Sequence, residues 1–100
     1  MNEIEPNEIL DYVKKEKSAI FFHTPLCGTC KVGRRMLEIV EMTLPNMKIA
    51  SCNINTASEI ASAYNIESVP CLIVFSEGTV KEKVYAFQSV DYLYSLLKAE

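Results

Sequence analysis

Cys27 and Cys30 are separated by Gly28 and Thr29 and stand between an apolar run and a basic segment. The run at residues 18–22 has the composition of a buried strand, and the segment from Lys31 onward is compatible with a helix. A helix start carries unpaired N–H groups and a partial positive charge, which favours a thiolate and predicts that Cys27 is the reactive cysteine. Because residues three apart share a helix face, the two thiols can pair and separate without unfolding the chain.

The composition is that of a small globular protein. The chain has 100 residues, 49% hydrophobic and 23% charged, and we expect one domain spanning residues 1–100 without a linker. The net charge of −3 argues against nucleic acid as a partner. No apolar run approaches the ~18 residues that span a bilayer, and residues 1–6 are acidic and polar, unlike a secretory signal. We therefore expect a cytoplasmic protein, in which four cysteines indicate redox chemistry or metal binding.

Apolar periodicity divides the first half of the chain into helices and strands. A helix is predicted over residues 8–15, with Pro6 in its first turn and a single apolar stripe formed by Ile9, Leu10 and Val13. Residues 19–23 form a strand that is apolar on both sides, as in a sheet covered by helices on both faces. The longest helix follows the cysteines and ends before Pro45, and its apolar positions are Gly33, Met36, Leu37, Val40 and Leu44.

The second half of the chain predicts three more strands and two more helices. A strand at residues 47–54 precedes a capping box from Thr56 to Glu59, which opens a helix that buries Ile60, Ala61 and Tyr64. The apolar strand at residues 71–75 leads through a hairpin turn at 76–79 to an alternating edge strand at 80–86. Ser89 can cap a last helix, whose apolar residues are Val90, Leu93 and Leu97. This order predicts an α/β fold in which a parallel sheet gains an antiparallel edge.

Two segments of the chain resemble the signatures of a known family. Residues 18–31, SAIFFHTPLCGTCK, resemble the active-site segment of thioredoxin and its relatives, and residues 64–78, YNIESVPCLIVFSEG, resemble the second signature of that family. The resemblance implies a thioredoxin-like fold, with a central mixed sheet of about four to five strands flanked by helices on both faces. It also implies a cis peptide bond at Val69–Pro70, with Pro70 beside Cys27 and the exposed backbone of Val69 pairing with a bound substrate strand.

The function that the resemblance implies is thiol–disulfide exchange with protein substrates. The Cys27 thiolate attacks a substrate disulfide, and Cys30 then attacks the mixed disulfide and releases the reduced substrate. The residues expected to bind substrate and shape the site are Leu26, Gly28, Thr29, Val69 and Pro70. The partners implied are disulfide-containing proteins and a thioredoxin-reductase-type or other thiol electron donor. We expect a monomer that uses no cofactor and binds neither nucleic acid nor membrane.

The segment around the two cysteines departs from the family pattern. Leu26 stands where a Trp is usual, and Gly28-Thr29 replaces Gly-Pro. Thr29 therefore supplies an N–H that proline lacks, which adds a possible hydrogen bond to the thiolate. We predict a less reducing potential than that of a standard thioredoxin.

Three further departures lie outside residues 26–30. Phe21 and Ser51 occupy the positions of a buried Asp and a Lys, which together handle the proton of the second cysteine in the family. Proton transfer to or from Cys30 must then use water or another group. Tyr85 replaces a usual glycine and is expected to narrow the groove in which substrate docks.

The four cysteines leave a second hypothesis open, a thioredoxin-fold binding or scaffold module whose cysteines are incidental or bind zinc. Cys52 and Cys71 would then complete a zinc site with Cys27 and Cys30, although structural zinc favours two close-spaced pairs. If the function is redox exchange, Cys52 and Cys71 are instead buried thiols within strands. Cys71 could also act as an extra thiol near Cys30, because it directly follows Pro70. A reversible Cys27–Cys30 disulfide distinguishes the two hypotheses.

Charged and titratable residues near the cysteines could tune their reactivity. His23, the only histidine of the chain, either tunes Cys27 or packs as a ring near the site. Lys31 belongs to a basic cluster with Arg34 and Arg35. This cluster forms either a solvated helix face or a charge that stabilises the thiolate.

Overall fold

The computed structural model describes residues 1–14 and 16–98, which form five strands and four α-helices. In chain order these are β1 (Asn2–Glu3), α1 (Ile9–Lys14), β2 (Ser18–His23), α2 (Gly28–Thr43), β3 (Lys48–Asn53), α3 (Ser58–Ala63), β4 (Cys71–Ser76), β5 (Thr79–Val84) and α4 (Val90–Lys98). Short 3-10 turns at Pro6–Glu8 and Ile54–Thr56 precede α1 and α3. Lys15, which was predicted in the first helix, and residues 99–100 of the predicted domain lie outside the described residues.

The strands form one mixed sheet in the order β1-β3-β2-β4-β5. Both β1 and β2 run parallel to β3, whereas β4 runs antiparallel to β2 and to β5. At the centre of the sheet, Phe21 pairs with Ser51 on one side and with Leu72 on the other. The prediction of a mixed sheet with an antiparallel edge is confirmed.

Two hydrophobic cores lie on opposite faces of this sheet, because successive strand residues point to opposite sides. The first core contains α2 and α4 residues and consists of Ala19, Phe21, Cys30, Leu37, Val40, Ile49, Leu72, Val74, Phe87, Leu93 and Leu97. The second core contains α1 residues and consists of Ile9, Val13, Ile20, Phe22, Cys52, Ala57, Cys71, Ile73 and Phe75. Helices therefore cover both faces, as predicted. None of the helices in the described part of the chain is long and apolar enough to cross a membrane.

Burial on two of the helices differs from the prediction. Leu10 is 63% exposed, although it was assigned to the buried stripe of α1 with Ile9 and Val13, which are buried. This helix has only 6 residues, and Ile9 and Val13, four positions apart, both face the sheet. Leu10 lies about 100° around the helix from Ile9 and faces outward. The helix α3 has no fully buried residue, although burial was predicted for Ile60, Ala61 and Tyr64.

The two predicted helix caps have opposite outcomes. The capping box at Thr56 is wrong, because Asn53 Oδ1 accepts the Asn55 N–H at 2.9 Å and Thr56 Oγ1 donates to the Asn53 carbonyl at 3.0 Å. These local bonds hold the segment in a 3-10 turn and leave α3 without a side-chain cap. The cap of α4 is confirmed, because Ser89 Oγ accepts the Tyr92 N–H at 3.0 Å.

The first strand was not predicted, because its 2 residues carry no apolar pattern. Asn2 and Glu3 pair in parallel with Ala50 and Ser51 of β3. The Ile4 N–H continues this pairing by donating to the Ser51 carbonyl at 2.8 Å. The pairing brings the Glu3 carboxylate into contact with Ser51 of β3 and His23 of β2.

The predicted hairpin joins β4 to β5 through Glu77 and Gly78, whose φ angles are 51° and 84°. Two left-handed residues are what a tight hairpin between twisted strands requires, and glycine adopts this conformation without steric cost. The strand β5 ends at Val84, so Tyr85 and Ala86, which were predicted in the edge strand, lie beyond it.

Candidate active site

Cys27 and Cys30 lie at the start of α2 and form a disulfide. Their Cα atoms are 5.1 Å apart, within the range that a disulfide allows. Cys27 is the N-cap residue of α2, and its Sγ accepts the Cys30 N–H at 3.1 Å. After reduction, the same N–H and the positive end of the helix dipole favour a Cys27 thiolate. The structure thus confirms that the two thiols can pair.

The two cysteines differ in exposure. Cys27 is partly exposed and follows Leu26, which is 97% exposed, whereas Cys30 is only 3% exposed. A substrate disulfide can therefore approach Cys27 more readily than Cys30. Gly28 and Thr29 are also exposed, and Thr29 Oγ1 lies 3.3 Å from Cys27 Sγ. The contact of Thr29 with the sulfur is made by its hydroxyl group, where the sequence suggested its N–H.

An open groove of about 430 Å³ begins next to the cysteine pair, and we call it the docking groove. Its lining residues are Thr29, Val32, Gly33, Met36, Pro70, Tyr85, Phe87 and Gln88. The Val69–Pro70 peptide bond is cis, as the resemblance implied. Thr29 of the cysteine turn and Pro70 line this groove together, so the proline segment lies close to the cysteine turn.

Tyr85, which was expected to narrow the groove, lines it together with Pro70. Its hydroxyl group donates to the Asn65 carbonyl and accepts the Glu67 N–H, each at 3.2 Å. Lys83 Nζ donates to the same Asn65 carbonyl at 3.1 Å. These bonds fix the segment that leads into the cis peptide, so Tyr85 positions the groove wall as well as filling part of the groove.

Phe21 and Ser51, which occupy the positions of the Asp and the Lys of the family, are both fully buried. A carboxylate approaches from β1 instead: Glu3 Oε1 accepts the Ser51 hydroxyl at 2.6 Å and lies 3.1 Å from His23 Nε2. Partial burial raises the pKa of Glu3, but hydrogen bonds from Ser51 and His23 outweigh this and hold the pKa below its usual value. Glu3 has no local sequence signal, because only the pairing of β1 with β3 brings it here.

A second cleft, of about 220 Å³, is lined by His23, Thr24, Pro25, Cys30, Lys31 and Arg34, and we call it the His23 cleft. The His23 ring stacks on Phe21 at 5.5 Å between centroids, and its Nε2 lies 3.3 Å from Arg34 Nη2. Arg34 also lies 5.4 Å from the centroid of Phe21. The structure therefore brings His23 and the exposed Lys31 together with Cys30, the buried member of the pair.

Cys52 and Cys71 lie in the second core, on the other face of the sheet from Cys30. Both pair with Phe22 from its two neighbouring strands, so they stand about 10 Å apart, too far to form a disulfide. Both are free and fully buried, and burial raises the pKa of each thiol to about 11. The structure thus does not bring Cys71 to Cys30.

The zinc alternative requires several ligands to converge. Within residues 1–14 and 16–98, no group of three or more His, Cys, Asp or Glu side chains is arranged to hold a metal ion. The four cysteines are divided between the two faces of the sheet, and nothing in the described part of the chain favours a zinc site.

Comparisons with known proteins agree with the geometry of the fold and the site. The family model Thioredoxin matches residues 2–99. Thioredoxin-like protein YusE of Bacillus subtilis is 41% identical over 98% of this chain and 92% of its own length. The thioredoxin of Chlamydia pneumoniae is 30% identical over 76% of this chain and 74% of its own length.

Solved structures show the same fold. The oxidised mitochondrial thioredoxin 3 of Saccharomyces cerevisiae superposes with a TM-score of 0.86 at 19% identity, over 98% of this chain and 93% of that one. A mutant thioredoxin from Halobacterium salinarum superposes with a TM-score of 0.78 at 27% identity, over 97% and 87%. The chain therefore belongs to the thioredoxin family of dithiol–disulfide oxidoreductases, and its Cys27–Cys30 pair fits the redox site of that family.

Proposed function

We propose that Cys27 is the nucleophile and Cys30 the resolving thiol in disulfide exchange with protein substrates. The observation that carries this proposal is the partly exposed Cys27 at the start of α2 beside Cys30, which is 3% exposed. In the first step the Cys27 thiolate attacks a substrate disulfide, which forms a mixed disulfide and releases one substrate thiolate. In the second step the Cys30 thiolate attacks Cys27 Sγ, which forms the Cys27–Cys30 disulfide and releases the other substrate thiolate.

The substrate class is an extended, partly apolar segment that carries the disulfide. Leu26 is 97% exposed, and the docking groove next to it is lined mostly by apolar residues. Gly28 and Thr29 let the substrate approach the cysteine turn, and Pro70 forms part of the groove wall. The backbone of Val69 pairs with the substrate segment by strand addition.

Members of the thioredoxin family work with reductase donors and disulfide substrates. For this chain, a thioredoxin-reductase-type or other thiol donor returns the Cys27–Cys30 disulfide to the dithiol. The net charge of −3 favours protein over nucleic acid as partner, and a cysteine pair that must be reduced again after each exchange favours the reducing environment of the cytoplasm. Both cores pack on one sheet, which supports a single domain at residues 1–100, and we expect this domain to act as a monomer.

The test of the two assigned roles is a trapping experiment with Cys30→Ser. This variant can form the mixed disulfide but cannot resolve it, so it should accumulate disulfide-linked proteins on Cys27 that dithiothreitol releases. The matched control is the double variant Cys27→Ser, Cys30→Ser, which keeps Cys52 and Cys71 and should trap nothing. Equal recovery from both variants, or none from Cys30→Ser, would contradict the assignment.

An equilibrium redox titration with peptide mass mapping tests the pair itself. One reversible two-electron transition confined to Cys27 and Cys30 is expected. We also expect its midpoint to be less reducing than that of a standard thioredoxin measured alongside, because Gly28-Thr29 replaces Gly-Pro. An equal or more negative midpoint would contradict this expectation about the potential while leaving the exchange chemistry in place.

A further inference from the structure

If the protein carries out the proposed disulfide exchange, Cys30 needs a group that accepts its proton, and the inference that follows rests on that function. Cys30 must become a thiolate before it can attack the mixed disulfide, but it is 3% exposed, and burial disfavours the charged form of a thiol. The positions of the buried Asp and Lys of the family hold Phe21 and Ser51, neither of which accepts a proton near neutral pH. The acceptor must therefore reach Cys30 from elsewhere.

Cys30 lines the His23 cleft, so the groups around this cleft are the candidates for the proton acceptor. The groups that face it are His23 from β2, Lys31 and Arg34 from α2, and Glu3, which contacts His23 from β1. Lysine and arginine side chains are ordinarily protonated and do not accept a proton. The Glu3 carboxylate is a weak base, because its pKa is held below the usual value. Histidine is the side chain that gains and loses a proton between about pH 5 and 8.

His23 has a suitable partner in each protonation state. Its Nε2 lies 3.1 Å from Glu3 Oε1 and 3.3 Å from Arg34 Nη2. A protonated Nε2 donates to the carboxylate, whereas an unprotonated Nε2 accepts from the guanidinium. The stacked Phe21 ring holds the plane of the imidazole while this exchange takes place. His23 Nε2 therefore has a hydrogen-bond partner in both protonation states. A reversible proton carrier requires this, because a buried nitrogen without a partner would destabilise one of the two states.

We propose that His23 is the proton relay for Cys30, acting through a water molecule in the His23 cleft, and that Glu3 and Arg34 are its positioning residues. In the resolving step, the Cys30 thiol gives its proton through the water to neutral His23. The Cys30 thiolate forms a bond with Cys27 Sγ, the bond from Cys27 to the substrate sulfur breaks, and the substrate leaves as a thiolate. The imidazolium then gives its proton to solvent, and the reverse reaction uses the same path to protonate Cys30.

The experiment follows the two exchange steps separately by stopped flow, with reduced full-length protein and the aromatic disulfide DTNB. One nitrothiobenzoate is released when Cys27 forms the mixed disulfide, and a second is released when Cys30 resolves it. The second phase is independent of DTNB concentration, and Cys30→Ser should lack it. If the wild type itself lacks the second phase, the proposed function fails and the relay with it. If the phase is present, its pH dependence tests the relay alone.

The variants His23→Gln and His23→Phe remove the relay while keeping a polar or an aromatic side chain. In the wild type, the second-phase rate should bend between about pH 5 and 8. In either variant the bend should disappear, and the ratio of the second-phase rate to the first-phase rate near neutral pH should fall by at least about tenfold. Circular dichroism identifies which variants are folded, and one folded variant suffices. An unchanged ratio, or equal slowing of both phases, would overturn the proposal.

The positioning residues give a readout that a merely structural role would not produce. Glu3→Gln removes an anion that favours the imidazolium, so the bend should move to lower pH. Arg34→Gln removes a cation that disfavours the imidazolium, so the bend should move to higher pH. Shifts in the same direction, or no shift in either variant, would overturn the assignment of Glu3 and Arg34.

Discussion

Gly33 of α2 lies against the ring of Phe87, and replacing it with alanine tests how tightly the first core is packed. A Cβ at Gly33 would lie 2.9 Å from Phe87 Cδ2 and Cε2 and 3.6 Å from Phe21 Cε1. Phe87 is 6% exposed and Phe21 is fully buried, so the Phe87 ring can move away from the added methyl group only toward the docking groove, which it lines, and it would then lose contacts in the first core. Favourable carbon contacts begin at about 3.5 Å, and the added methyl group therefore displaces the ring.

Two opposing contributions decide the sign of the effect. Alanine stabilises a helix interior by about 1 kcal/mol relative to glycine, whereas overpacking a core costs about 1–3 kcal/mol. With the middle of that range, Gly33→Ala should lower the free energy of unfolding by about 1 kcal/mol. For a chain of this size, the melting temperature should then fall by about 4–8 °C.

The assay is thermal unfolding of the oxidised proteins, followed by circular dichroism. Gly28→Ala on the same helix is the matched control, because its added Cβ would have nothing within 4 Å. This control should melt at or slightly above the wild-type temperature. If Gly33→Ala also melts at or above the wild-type temperature, Phe87 can move at no cost and the reasoning about the first core is wrong.

Three further predictions concern a helix cap, the free thiols and acid stability. Ser89→Ala should lower the free energy of unfolding by about 1 kcal/mol in urea titrations, because α4 loses its N-cap; unchanged stability would contradict the cap. In the reduced native protein at neutral pH, iodoacetamide should alkylate Cys27 well before Cys52 and Cys71, which are buried and whose pKa values are raised to about 11. Mass mapping that finds all three modified equally fast would contradict this order. The pKa of Glu3 is lowered in the folded protein, so its carboxylate stabilises the fold at pH values above its usual pKa, and this stabilisation is lost as the pH falls through the lowered pKa. The difference in free energy of unfolding between wild type and Glu3→Gln should therefore become smaller in acid. A difference that does not change with pH would contradict this prediction.

Most elements of the fold could be predicted from sequence because the pattern of apolar residues alone determines each of them. The strands β2 and β4 are continuous apolar runs, and their central positions are buried because helices cover both faces. Predictions were wrong where the same residues fit two local structures, or where the helix was too short for the predicted pattern. Thr56 fits a capping box, but the neighbouring Asn53 binds the Asn55 N–H and keeps the segment in a 3-10 turn. Leu10 fits an apolar stripe, but α1 is too short to bury a stripe wider than Ile9 and Val13.

The candidate site divides in the same way. The Cys27–Cys30 pair could be predicted because three residues of spacing and one helix start determine its geometry. The cluster around His23 could not, because Glu3 reaches it only through the parallel pairing of β1 with β3. Arg34 was predicted as part of a basic cluster on the helix, but its contacts with Phe21 and His23 depend on how α2 packs on the sheet.

The two margins of the sheet discourage unwanted strand pairing by different means. On one side, β1 offers only 2 residues. On the other, β5 is exposed and carries Lys81, Glu82 and Lys83 in succession, and charged side chains on an outer strand oppose the addition of another chain. Neither edge therefore favours the addition of an extended polypeptide, and the sheet resists edge-to-edge growth by further copies of this chain.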